Sequence, residues 1–249
     1  MDDQIIAASP QPTLSRSVEK KVGRRVRVRW LAFGFILLAA ISVFATPYLL
    51  KAAGRSLVHQ GSIEVADAIL IENFDPNYLL FERTRQLLQE GWAKTVLVPT
   101  QASSAGETPN AVSEGFVQVM VRVSRIAAPE IVPVREIEPI TLNTALQVRG
   151  YLQKENIHSI IVVAAAFRSR RSYLVWNAVL NQASIRVFCV PVFGPRTTDN
   201  WYHTWHGWQE VALEATKLAY YRLSVLPRLN KYEKTQVPWN ALGRSQDAR

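Results

Sequence analysis

The sequence predicts an α/β fold: a three-layer αβα sandwich around a mostly parallel five-stranded sheet, preceded by one transmembrane helix. Three observations predict it. Residues 31–50 read LAFGFILLAAISVFATPYLL and carry no charge. From Ala66 onward, short apolar runs alternate with segments of helical period, the pattern of right-handed βαβ crossovers. The run SIIVVAA at 159–165 is continuously β-branched and small, which suits a strand buried on both faces.

The apolar run sets place. A helix rises ~1.5 Å per residue, so about twenty apolar residues match a ~30 Å hydrocarbon core. Lys20, Lys21, Arg24, Arg25, Arg27 and Arg29 precede it, and Trp30 and Tyr48 mark its ends. Positive charge is retained on the cytoplasmic side and amphipathic rings prefer the headgroup region. The expected protein is therefore single-pass, with its N-terminus cytoplasmic and its main domain outside the cytoplasm. The rival is a cleaved signal peptide with Val43 and Ala45 at the cleavage site. Against it stand the long leader and the continuation of the run through Leu50. Both readings export the domain.

The implied organisation is a basic arm at 1–30, an anchor at 31–50, a linker at 51–65, an α/β domain at 66–226 and a polar tail at 227–249. Seven of the 29 Lys/Arg but only three of the 20 Asp/Glu lie in the arm, so much of the net charge of +9 is topogenic. Export also makes nucleic acid an unsuitable partner. Membrane and anionic envelope polymers remain as partners. The single cysteine, Cys189, excludes an intramolecular disulfide and reads as a core residue.

The elements follow in order. ADAILI at 66–71 is the first strand. Asp75 caps a helix with Pro76 in its first turn, with Leu80, Thr84, Leu87 and Leu88 on one face and Gly91 as the stop. KTVLVP at 94–99 is the second strand, and a polar loop leads to a helix over about 111–125. Ile131–Val134 is a short third strand. Thr141 caps a helix carrying Leu142, Ala145 and Leu152 at helical spacing. After the fourth strand a helix runs from about Ser169 to Leu180, then a strand over Ile185–Val190. The last helix spans about Trp208 to Leu223, with Val211, Ala215, Leu218 and Ala219 apolar and Glu210, Glu214, Lys217 and Tyr221 opposite.

Ligands of a doubly wound sheet bind where strands end. The segments there are Glu72–Asp75, Pro99–Thr100, Glu136–Thr144, Ala166–Arg171 and the stretch from Phe193. Their order, with TLNTALQ, then VVAAAFRSRRS, then WQEVALEATKLAYY, resembles the ElyC/SanA/YdcF family over roughly Ala66 to Arg222. The family's first-helix Arg is matched by Arg83 or Arg85, its next Glu by Glu114, and its late Glu by Glu214. Thr141, Asn143 and Thr144 fit its Ser-x-Asn-Thr element, and Arg171 keeps the Arg of His-x-x-Arg. Departures are as informative. Glu72-Asn73-Phe74-Asp75 replaces a Gly-rich turn, Pro99 and Thr100 a Ser-Gly pair, Ala164 and Ala165 two hydroxyls, Arg168 the His, and Leu146 and Gln147 a Glu and Asn.

Arg stays protonated, so Arg168 cannot replace an imidazole in proton transfer. Arg168, Arg170 and Arg171 can instead grip phosphate or carboxylate, or form a solvated helix start. The resemblance implies a membrane-anchored protein of cell-envelope biogenesis that binds an anionic glycan or lipid-linked intermediate. Its expected ligand-binding set is Asn73, Arg83, Thr100, Asn143, Thr144, Arg168, Arg171 and Glu214, with Arg171 as principal contact. The alternative is a hydrolase or transferase acting on a phosphorylated envelope precursor. No cofactor and no metal are expected, and GxSxG, HExxH, P-loop and GxGxxG motifs are absent. WYHTWHGW at 201–208 reads as packing of the last helix, as a sugar-stacking or membrane-dipping lip, or, through His203 and His206 with further ligands, as half a metal site.

Overall fold

The computed structural model describes residues 42–72, 77–103 and 108–235. The chain divides into two compact units, Met1–Leu50 and Lys51–Arg249. In the first, residues 42–50 are helical. Among the described residues no helix is long and apolar enough to cross a membrane. Residues 31–41 of the expected anchor lie outside the described residues.

The second unit opens on helix α1 (51–57), which buries Leu57 and is followed by buried Val58 within the segment read as linker. Five strand-helix repeats follow: β1 (Ala68–Ile71), α2 (Tyr78–Gln89), β2 (Thr95–Gln101), α3 (Ala111–Ser124), β3 (Glu130–Val134), α4 (Ile140–Lys154), β4 (Ser159–Ala165), α5 (Ala166–Leu180), β5 (Arg186–Val192) and α6 (Trp205–Tyr220). A π turn, Tyr221–Val225, and a short 3-10 turn then lead to α7 (Leu229–Thr235).

The sheet order is β3-β2-β1-β4-β5, and every pairing is parallel. The sheet is thus wholly, rather than mostly, parallel. Such a sheet needs cover on both faces, and alternation along the strands supplies it. Leu70, Leu97 and Val162 face one apolar cluster with Leu142, Trp176 and Leu229 of α4, α5 and α7. Ile69, Val98, Ile161 and Val163 face the other with Phe81, Leu87 and Val117 of α2 and α3. Residues 229–235, within the segment read as a tail, therefore carry an element that packs on the core.

Several boundaries differ from expectation. Asn77 caps α2, its Oδ1 accepting from Leu79 N, whereas Asp75 and Pro76 lie outside the described residues. Pro139, not Thr141, stands at the N-cap of α4, because the Thr141 side chain is turned inward to a buried partner. α5 starts at Ala166, directly on the end of β4, so Arg168, Arg170 and Arg171 fall in its first two turns. α6 starts at Trp205, capped by Thr204, where Gly207 is required: a Cβ there would lie 1.9 Å from the Trp201 carbonyl oxygen.

The buried stripe of α6 is Gly207, Val211, Glu214 and Leu218. Ala215 and Ala219 are exposed, so Glu214 lies on the inner face and not on the solvent side. α6 does not run back along the sheet. Glu214 meets Arg171 early in α5, and Tyr221 just beyond α6 meets Thr141 at the start of α4, so α6 lies across the carboxyl edge of the sheet.

A candidate anion-binding cleft

A cleft of about 620 Å³ opens at the carboxyl edge, between the ends of β2 and β3 and the helices that start or end there. Thr100, Thr144, Arg168 and Arg171 of the expected set line it. α4 brings Thr144 by its first turns, and the immediate β4-to-α5 junction brings both arginines.

Glu214 organises the basic wall from behind. Its Oε2 accepts from Arg171 Nε at 3.2 Å and Nη2 at 3.0 Å. Its Oε1 lies 3.7 Å from Arg168 Nε and 3.6 Å from Lys217 Nζ. Arg171 Nη1 donates to Thr141 Oγ1 at 2.8 Å, and the guanidinium lies 5.3 Å from the centre of the Tyr221 ring. Three cations thus meet at one buried carboxylate. The Tyr221 hydroxyl accepts from Thr141 N at 3.2 Å; burial raises its pKa although that bond and Arg171 pull the other way.

Glu136 and Glu138 also line the cleft. Glu136 accepts from Gln101 Nε2 at 3.0 Å, and Glu138 accepts from Ile140 N at 3.3 Å. Val112, Phe116 and Tyr220 make an apolar lip.

Arg83 and Asn143 of the expected set stand apart from the cleft. Asn143 is buried, and its Nδ2 donates to the Ile137 and Pro139 carbonyls, holding the turn that enters α4. Arg83 points away, bonded to Gln86 and Glu90 on the outer face of α2. A helix face is fixed by the chain's rotation, and Thr84 rather than Arg83 falls on the inner one. Asn73 lies outside the described residues. Glu114, the match to the family's next Glu, bonds Gln118 on α3. Gln147 clasps both backbone groups of Arg135 and so ties α4 to the end of β3.

The basic wall also alters the expectation for Arg171. Its Nε, Nη1 and Nη2 each donate within the protein, so it positions Glu214 and Thr141 as well as facing the cleft. Lys217, Glu136 and Glu138 were missed as site residues. The signal for Lys217 was its three-residue spacing from Glu214 on one helix, legible only once Glu214 is known to be buried.

Cys189 is buried, and burial, with Glu72 nearby, holds its thiol well above the usual range, so it stays protonated. Glu72 itself accepts from Ser172 Oγ at 2.7 Å and Trp176 Nε1 at 3.4 Å beneath the edge. His203 and His206 are exposed, and no group of three or more metal-ligating side chains occurs among the described residues. Compared with family models, curated proteins and solved structures, the chain matches none.

Proposed function

We propose that the protein is a membrane-anchored, extracytoplasmic component of bacterial cell-envelope biogenesis whose cleft binds an anionic glycan or lipid-linked phosphate. One observation carries the reading: Arg168, Arg171 and Lys217 converge on the buried carboxylate of Glu214 at the wall of a strand-end cleft. Arginine forks and an ammonium suit phosphate oxygens. The resemblance to the ElyC/SanA/YdcF family supports the same ligand class, and the uncharged run at 31–50 supports the anchor. Among the described residues no imidazole lines the cleft, which favours binding over proton-transfer chemistry.

The test is titration of the full chain in lipid nanodiscs with a polyprenyl phosphate. Lys217→Gln and Arg168→Gln should each weaken binding by about tenfold, the order expected for one charge-assisted contact. Equal affinity for the phosphate and the uncharged polyprenol would sink the reading. Glu136 and Glu138 in the cleft lining favour a second reading, a hydrolase or transferase in which a carboxylate serves as base. Phosphate release from a polyprenyl diphosphate, lost in Glu136→Gln or Glu138→Gln, would establish it.

A further inference from the structure

We propose that the carboxyl edge of the sheet lies against the bilayer surface, so that the cleft opens onto lipid headgroups and takes its ligand from the membrane. This rests on the anchored, anion-binding reading above and adds its orientation and the source of the ligand.

In a wholly parallel sheet all strand-to-helix connections lie on one edge. Here that edge carries exposed apolar side chains around the charged cleft. Tyr78 opens α2, Val112 opens α3 and is 82% exposed, Ile137 lies between β3 and α4, and Phe193 follows β5. α6, lying across the edge, adds Trp205 at 71% exposed and Leu213. The turns at the opposite edge present Glu90, Arg125, Glu155 and Gln182 to solvent, with Val65 before β1 and Val123 at the end of α3 the exposed apolar residues there. Large apolar side chains grouped on one surface mark an interaction site, and tryptophan favours the headgroup region.

The β4-to-α5 connection is the one without an exposed apolar residue, and it holds the chain's point of entry. His59 N donates to Ser169 Oγ at 2.8 Å, and Arg170 Nη1 donates to the Ser56 carbonyl at 3.3 Å. Lys51 pairs with Asp199, in the connection after β5, at 3.2 Å. The Cβ position of Gly54 lies against the Trp201 indole. Lys51 directly follows the uncharged run in sequence. The domain is therefore held to its entry point by the same edge that carries the cleft and the exposed apolar groups. A lipid surface is the occupant that both facts select.

The test uses the full chain in vesicles of phosphatidylethanolamine and phosphatidylglycerol. In a Cys189→Ser background, single spin labels are placed through Ile137→Cys, Trp205→Cys and Val112→Cys on the carboxyl edge, and through Glu155→Cys and Gln182→Cys on the other. Edge labels should lose collisions with an aqueous nickel chelate and gain collisions with oxygen, while the opposite labels stay water-exposed. Equal aqueous access at both edges, or shielding of the opposite edge, overturns the orientation. Spin-spin broadening between two copies at the edge assigns the surface to a second chain and overturns it also. Polyprenyl phosphate binding is measured separately in detergent. Its absence beside shielded edge labels would remove the cleft function and leave the orientation standing.

Discussion

Arg171 grips Glu214 through two nitrogens on one oxygen, at 3.2 and 3.0 Å, with both side chains almost wholly buried. Removing Glu214 strands the buried Arg171 charge at low dielectric, which costs ~3–5 kcal/mol, whereas without Arg171 the carboxylate keeps Arg168 and Lys217 beside it. Glu214→Gln should therefore lower the melting temperature strongly, and Arg171→Ala should lower it less. Lys217→Gln should leave stability nearly unchanged, since Lys217 reaches solvent. Denaturant titration of the three variants checks this ordering. A melting curve for Glu214→Gln like that of the parent would mean the cluster contributes nothing to the fold.

The sheet makes a second test. Val163 pairs with Ile71 of β1 and Val190 of β5 and is fully buried. Val163→Asp places a carboxylate in the apolar cluster that holds Leu80, Phe81 and Ile161. An unpaired buried charge costs several kcal/mol or moves its pKa, so the domain should fail to fold at neutral pH. Circular dichroism and protease resistance are the readouts, and a parent-like spectrum would contradict the packing.

His59 gives a pH dependence. Burial, and then the nearby Arg170 charge, hold its imidazole below the ordinary 6.5, and its ring stacks on Tyr173 at 4.0 Å. The folded state thus binds its proton less readily than the unfolded one. Stability from this residue is present above the unfolded value of 6.5 and is lost as the pH falls through the lower folded value. Thermal melts between neutral and mildly acid pH should show a decline that is shallower in His59→Gln. Equal declines in parent and variant would remove His59 as the cause.

Topology is testable without the cleft. A reporter that works only outside the cytoplasm, fused after Arg249, should be active. Neutralising Arg24, Arg25, Arg27 and Arg29 should scramble insertion, because retained positive charge sets orientation. Activity of a cytoplasm-only reporter at the same position would reverse both the anchor reading and the orientation built on it.

Local pattern alone determined the strand-helix alternation, the five strands and the apolar faces of α2 and α4. β-branched runs and helical spacing act within a few residues, and each needs only its own segment. It also supplied the charge-free run and the basic arm before it. The strand order, the burial of Glu214 and the course of α6 across the edge were decided by the tertiary structure. Glu214 looks like a solvated carboxylate on an amphipathic helix until Arg168, Arg171 and Lys217 gather on it from another helix and from its own next turn. Arg83 looked equivalent to the other arginines until helix rotation turned it outward. Which side chains share a cleft depends on contacts between residues far apart in the chain, and no window of sequence holds both partners.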